Sequence, residues 1–452
     1  MANTYLSRTP SSNGSKTTNT ISLWVKRGNL SGGTVQRLFS QLNTGASGNP
    51  DDYITFDDVD RITFQFYGNG SSGVNNGVLT TNRKFRDTSA WYHIVAVQDT
   101  TNGTSGDRLR IYINGVRETS FSSSTYPSQN TQGGAINNTN YSLFIGQRGN
   151  NAGYFSGSMS HINFIDGTAY DPTAFGETDA TTGEWKIKTS PSVTYGTNGF
   201  FILKDGNSVT DQSGRGNNFT VGGGTLTKTE DCPSNVFACG NVLGSGSVSF
   251  SNGNNAVHEG GTSFKTAIAT LGASSGKYYA EVKAPSIGSV TYGLYTGFVN
   301  LDKTNLPNLT SNVGDTADSA GISSGGGYIY YNGQQFTGAT TATTANDVVN
   351  LAMDLDNGFL YWGINGTYLN SGNPASGASG TGGMPIANIT AGGTYTFAVS
   401  VRSSATINFN FGNGYFGTTA VSSAGTNASG IGIFEYDVPT GYTALTTKGL
   451  NL

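Results

Sequence analysis

Residues 347–369 read DVVNLAMDLDNGFLYWGINGTYL, two apolar runs on either side of Asn357 and Gly358. An Asn-Gly pair between such runs signals a β-hairpin, because both central positions of a type I′ turn need positive φ. Taking Asn357 and Gly358 as a two-residue loop sets Asp356 opposite Phe359, Leu355 opposite Leu360, Met353 opposite Trp362 and Leu351 opposite Ile364. Every Leu, Met, Ile and Trp of these pairs then shares one face, Asp354 and Tyr361 take the other, and a one-residue slip would destroy the agreement. One face is core; the other meets solvent or a second sheet, as an antiparallel sandwich requires.

The same grammar recurs outward from this hairpin. WYHIVAVQD (91–99) leads through a polar loop to DRLRIYINGVRE (107–118), where Leu109, Ile111 and Ile113 alternate with Arg110 and Tyr112. Both hairpins contain Ile-Asn-Gly, at 113–115 and 364–366, which raises the expectation of two domains with one architecture. Short β-branched or aromatic alternations bounded by Gly, Asn or Ser also occupy 21–26, 61–67, 141–146, 158–165, 277–283, 395–401 and 406–412. A glycine-rich stretch around CPSNVFACGN carries no sustained alternation, which places the junction between domains at 1–235 and 236–440, followed by a tail at 441–452.

The composition agrees with an ordered, loop-rich, all-β chain. Its 452 residues include 66 glycines without a three-residue period, only 11 prolines, 24 Phe and 23 Tyr, which exclude collagen and a disordered low-complexity chain. Charged residues make up 12%, about half the usual share, so long charged helices are excluded. A net charge of −4 and the lack of any basic block argue against nucleic acid as a partner. No segment approaches the roughly 18 apolar residues of a membrane span, and MANTYLSRTPSSNGSKTT offers no apolar run for secretion, so folding where the chain is made is the expectation. Cys232 and Cys239 are too few for a disulfide framework or a structural zinc site and are expected to be reduced.

Several strings resemble known families. ISLWVKRG (21–28), WYHIVAVQD, LRIYINGVRE and YSLFIGQRGNNAGYFSGSMSHINFIDGTAYD (141–171) resemble a laminin-G/concanavalin-like jelly roll. Downstream, GKYYAEVKA (276–284), GISSGGGYIYYNGQQF (321–336), DVVNLAMDLDNGFLYWGING (347–366) and YTFAVSVRSSATINFNFG (395–412) follow the order of a SPRY domain. The resemblance implies two concanavalin-like antiparallel β-sandwiches in tandem. The arrangement from MANTYLSRTPSS through DCPSNVFA to FEYDVPTGYTALTTKGLNL is similar to virion proteins of marine tailed bacteriophages, especially those infecting cyanobacteria. It implies a non-enzymatic, fibre-like appendage on capsid or tail, folded in the host cytoplasm, released by lysis, and meeting a host glycan or protein receptor. Other virion proteins are the expected partners, and a homotrimer is expected from how fibres are built. The rivals are a capsid decoration protein without receptor binding and an enzyme acting on surface polysaccharide.

For catalysis, paired carboxylates of a glycoside hydrolase would stand at alternate strand positions about 5 Å apart. Glu177 and Asp179 have that spacing but lack a third carboxylate and sit among loop residues; Glu435 and Asp437 precede Pro439. His93, His161 and His258 stand in no metal-ligand or triad spacing. Asp57, Asp58 and Asp60, with Asp51 and Asp52 nearby, are the densest acidic group, but without the spacing of a calcium loop they read first as a solvated turn. No cofactor is expected. Sugar stacking needs exposed aromatic faces, and the candidates are Tyr126, Tyr154 and Tyr170 in or beside loops of the first domain and Tyr328, Tyr330 and Tyr331 in the second. Trp24, Trp91, Trp185 and Trp362 are assigned to core or near-core packing.

Overall fold

Leu351, Met353, Leu360, Trp362 and Ile364 share one buried face with Phe298, Phe397 and Phe409 behind them, as the hairpin's alternation requires. The computed structural model describes residues 3–42, 50–68, 76–289, 292–302, 311–336, 342–389 and 392–452. The chain forms two compact units, Met1–Lys228 and Thr229–Leu452. Their boundary lies a few residues before the expected break at 235/236.

In the first unit, one sheet runs in the order Phe121–Thr125, Gly77–Lys84, Arg61–Phe66, Asp51–Phe56, Gln36–Leu42, Leu143–Ile145, Tyr5–Arg8, Thr220–Gly223. The other runs Phe200–Ile202, Gly157–Asp166, Thr18–Arg27, Trp91–Asp99, Leu109–Ile113, Val116–Arg117. Leu23, Ile94, Ile111, Phe39, Phe64 and Phe164 fill the space between them. In the second unit, the strands Ala256–Glu259, Ala405–Asn410, Lys277–Ser286, Val348–Asp354 and Phe359–Ile364 build one sheet, and Lys265–Ile268, Tyr395–Val401, Leu294–Asn300, Ser319–Ser323 and Ile329–Tyr331 build the other. The fold class is all-β, two antiparallel sandwiches in tandem.

The register of the deciding hairpin differs from the sequence expectation. Leu351 pairs with Trp362, Met353 with Leu360 and Asp354 with Phe359, so residues 355–358 form a four-residue turn. The cause is Asp354, whose carboxylate accepts the backbone N–H of Asn357 at 3.0 Å and its side-chain amide at 2.8 Å, while Gly358 N–H donates to the Asp354 carbonyl at 2.9 Å. Within the pair only Gly358 takes positive φ, at 76°, so no type I′ turn forms there. A slip of two residues leaves every side chain on its predicted face, which is why the core assignment survives it.

Type I′ geometry appears instead at Asn114 and Gly115 (φ 48° and 80°) and at Asn365 and Gly366 (φ 50° and 82°), the two Ile-Asn-Gly sites. Their likeness extends to hydrogen bonds. Asn114 N–H donates to the His93 carbonyl and its Oδ1 accepts the His93 N–H at 2.8 Å; Asn365 does the same to Val348 at 2.8 and 2.9 Å. In each unit this asparagine clasps the neighbouring strand from the turn.

Residues 441–452, expected as a tail, are built into the second sandwich. Thr443–Ala444 pairs parallel with Tyr278 and Tyr279, Ala444 and Leu445 are fully buried, and Thr446 bridges to Phe237. Tyr442, Phe434 and Val438 cover Tyr279, Ala352 and Tyr361. The hairpin face expected to meet solvent or a second sheet is therefore roofed by irregular chain, and Asp354, fully buried there, pairs with Lys277 at 2.9 Å. In the first unit Phe175 and Tyr195 similarly cover Val95, Val97, Tyr112 and Phe201 on the outer face of the six-stranded sheet. Among the described residues no helix is long and apolar enough to cross a membrane.

Trp362 is 2% exposed and its indole donates to the Thr296 carbonyl at 2.9 Å. Trp362→Ala should therefore lower the stability of the second unit by about 3–5 kcal/mol, read as a reduced urea midpoint. Asn365→Ala should cost about 1–2 kcal/mol through its lost clasp.

Candidate functional site

The chain leaves Leu109–Ile113 through the Asn114 and Gly115 turn, forms the edge strand Val116–Arg117, and crosses to Phe121–Thr125, the edge strand of the other sheet. A cleft of about 420 Å³ opens along this crossing, lined by Asp107, Arg117, Glu118, Phe121, Ser124 and Tyr126 among others. Phe121 and Tyr126 are half-buried and rest on the first core. Arg117 is fixed by Asp107 at 2.7 Å and by the Gly106 carbonyl at 2.8 Å. Glu118 accepts the Ser120 N–H at 3.2 Å and pairs with no cation among the described residues. The turn that sets this rim is backed by Trp185, against whose ring a Cβ on Gly115 would close to 2.5 Å.

The other candidate tyrosines stand in separate surroundings. The Tyr154 hydroxyl reaches Asn151 at 3.3 Å and its ring lies 6.3 Å from Tyr5. Tyr170 accepts the Thr194 N–H at 3.0 Å and stands edge-on to Phe175. The pleat splits the second group: Tyr331 packs on the inner core and Phe336, while Tyr330 and Tyr328 continue a row with Phe264 and Tyr295 at centroid spacings of 5.4, 6.0 and 6.3 Å. Arg402 lies 4.2 Å over the Phe264 ring at the end of that row.

The acidic group is a structural network. Asp57 accepts the N–H groups of Val59 and Arg61 and the Arg61 guanidinium at 2.7 Å. Asp60, at φ 73°, lies between Arg27 and Arg86, each at 3.0 Å. Burial alone would raise its pKa, but the Ser31 N–H and the two guanidiniums outweigh burial and hold it below the usual carboxylate range. Asp58 is exposed. Asp51 takes Arg37 and Arg148 at 3.3 and 3.2 Å. Asp52 is buried, which pushes it up to about 7 against three opposing bonds from the N–H groups of Tyr67, Ile136 and Ala135. Among the described residues no group of three or more His, Cys, Asp or Glu is placed to hold a metal. Cys232 and Cys239 are both thiols.

Of the carboxylates considered for hydrolysis, Glu177 and Asp179 lie on the small hairpin formed by Gly176–Thr178 and Trp185–Ile187. Asp179 binds Lys186 at 2.6 Å and the N–H groups of Thr181 and Thr182; Glu177 faces Lys188 at 3.8 Å. Glu435 faces Lys283 at 3.8 Å, and Asp437 holds Thr426 through its N–H and hydroxyl.

His93, expected to play a structural role within a strand, does so, whereas Glu281 escaped the sequence reading. His93 is fully buried between Trp24 and Trp185, at centroid distances of 4.7 and 5.9 Å, and contacts Ser22 Oγ at 2.9 Å. The Trp185 indole can only donate, so its 2.9 Å bond makes Nδ1 an acceptor and leaves the proton on Nε2, facing Ser22. Burial drives the imidazole pKa down to about 3. His93 therefore cannot take the Ser22 proton, and Ser22 itself is buried. In the second unit Glu281 is fully buried and accepts the N–H groups of Glu435 and Tyr436 at 2.9 and 2.8 Å, the Tyr279 hydroxyl and the Asn410 amide. It latches the covering chain to the sheet. The alternation of GKYYAEVKA places it opposite the core face, but no sequence signal says that face is covered.

Residues 2–173 match the family model described as Concanavalin A-like lectin/glucanases superfamily, Laminin_G_3. The first unit has a concanavalin-like fold. Among solved structures, the SPRY domain of human HERC1 is similar at 16% identity over 38% of this chain and 96% of its own, with a TM-score of 0.30. A human SPRY domain gives 15%, 36%, 93% and 0.27, and the TRIM65 PSpry domain 12%, 38%, 91% and 0.28. No curated protein matches the chain.

Burial raises the Glu281 pKa from 4.5 to about 7, against the N–H and hydroxyl bonds that favour its charge. The folded protein thus holds a proton that the unfolded chain releases above pH 4.5. The Glu281 contribution to stability is complete below that pH and is lost as pH rises toward 7, by at most about 1.4 kcal/mol per pH unit. Buried Asp52 adds a slope of the same sign in both proteins, so the difference in unfolding free energy between the wild type and Glu281→Gln, in which that contribution cancels, should fall with pH over this range.

Proposed function

We propose that this chain is a non-enzymatic virion protein of a tailed bacteriophage, a fibre-like appendage on capsid or tail that meets the host surface through a glycan or protein receptor. The observation that carries the reading is the contrast within the first unit. Of its candidate catalytic carboxylates, Asp179 is bonded to Lys186 and to two backbone N–H groups and Glu177 stands on an exposed hairpin facing Lys188, whereas the cleft beside Tyr126 offers two aromatic rings and several polar groups to a ligand. The buried Ser22 and His93 pair supports the same reading, because its tautomer opposes nucleophile activation. A chain with 12% charged residues and abundant Ser, Thr, Asn and Gly suits adaptable, wet contacts with small desolvation costs. The resemblance of the strings MANTYLSRTPSS, DCPSNVFA and FEYDVPTGYTALTTKGLNL to marine phage virion proteins suggests the biological setting.

Mass spectrometry of purified particles is expected to find the protein in intact virions, and the recombinant chain is expected to adsorb to host cells. Its absence from virions would remove the proposal. Binding to emptied capsids alone would favour the decoration role, and shortening of host polysaccharide chains on incubation would favour an enzyme.

A further inference from the structure

We propose that the tyrosine cluster of the second unit, Tyr292, Tyr295, Tyr328 and Tyr330 faced by Asp315, binds a quaternary ammonium group. Such a site goes beyond the virion reading and does not rest on it. On the outer face of the sheet that carries Leu294–Asn300, Tyr295 stands opposite Ser323 and Tyr330 opposite Gly321. The strand between the two tyrosines thus bears only small side chains on this face, and the rings come together across it. Tyr295 meets Tyr330 at 60° and Tyr330 meets Tyr328 at 78°, with centroids 6.0 and 6.3 Å apart. In the angle between two such rings a cation lies within about 6 Å of both centroids, the range in which the ring quadrupole attracts it. Tyr328 is fixed from behind, since a Cβ on Gly326 would close to 2.5 Å from its ring. Tyr292, 39% exposed, is tied in through its carbonyl, which accepts the Arg402 guanidinium at 3.1 Å. The row already holds one cation at its other end, where Arg402 lies 4.2 Å over Phe264.

The charge that selects a cation comes from Asp315. Its turn descends onto the same strands: a Cβ on Gly321 would stand 2.8 Å from the Val313 carbonyl, and one on Gly314 would stand 2.7 Å from the Tyr330 carbonyl. Asp315 is thereby held beside the rings, exposed and without an ion pair among the described residues. Burial pushes the Tyr295 phenol up to about 12 and the Tyr330 phenol upward, and the charge of Asp315 adds to both. The rings therefore stay neutral beside one carboxylate. A bare ammonium would give up strong hydration there for a single carboxylate, a loss the rings do not offset. A methylated ammonium spreads its charge over apolar methyl groups, which shed water readily and rest on ring faces. The arginine of a partner protein is the competing occupant.

The test is a titration of the full-length protein at constant ionic strength, followed by saturation-transfer NMR, with tetramethylammonium, choline, the neutral choline isostere 3,3-dimethylbutan-1-ol and an arginine-containing peptide. Both ammonium ions should bind with a Kd of about 1–10 mM, and the neutral isostere at least about tenfold more weakly than choline. Tyr328→Ala should weaken ammonium binding about tenfold while Tyr328→Phe retains it. Asp315→Asn, at an exposed position, should weaken it about threefold and leave the unfolding midpoint unchanged, so the inference remains testable if Tyr328→Ala folds poorly. Equal binding of choline and its neutral isostere, full ammonium binding by either Tyr328→Ala or Asp315→Asn, or binding of the arginine peptide alone would overturn the inference.

Discussion

A pleated strand sends alternate side chains to opposite faces, and in each unit one sheet is covered on both. Its inner face meets the other sheet; its outer face lies under irregular chain, Phe175 and Tyr195 in the first unit and Phe434, Val438 and Tyr442 in the second. Polar groups on that outer face lose water and must find partners within the protein. This constraint produces the Trp185 bond to His93, the Tyr195 bond to Asn163 at 2.8 Å, and the four donors around Glu281. Buried titratable groups of this kind resemble active-site residues in their displaced pKa values, yet their geometry fastens a covering segment to a sheet.

The strands and their inward faces were legible because period-two alternation is local. Leu351, Met353 and Trp362 needed nothing beyond their own hairpin to be assigned to a core. The two Ile-Asn-Gly sites were also legible, although their common hydrogen-bond clasp on the preceding strand required coordinates. The turn after Asp354 was misread because an aspartate just before Leu-Asp-Asn-Gly can accept the Asn357 N–H and so stabilise a longer loop. The roofing segments were invisible to pattern reading, since residues 167–198 and 421–446 carry no sustained periodicity and are fixed by contacts distant in sequence.

The candidate site was legible in part. Tyr126 could be singled out as a loop-side tyrosine, but its company could not: Arg117 and Glu118 stand next to each other in sequence, and only the fold shows that the first is paired with Asp107 while the second pairs with no cation among the described residues. The tyrosines at 328, 330 and 331 read as one cluster until alternation separated Tyr331 from the other two. The acidic group at 57–60 was dense in sequence because Arg27, Arg61 and Arg86 converge on it in space.

Recognition is proposed at the edge-strand cleft, while His93 in the first unit and Glu281 in the second each fasten a covering segment to a sheet of their own sandwich. Hydrogen–deuterium exchange of the full chain, with and without host envelope extract, tests this division most directly. Slowed exchange concentrated in residues 105–126, with the hairpin at 176–187 unchanged, is the predicted result. Protection at 176–187, or confined to the second unit, would contradict it.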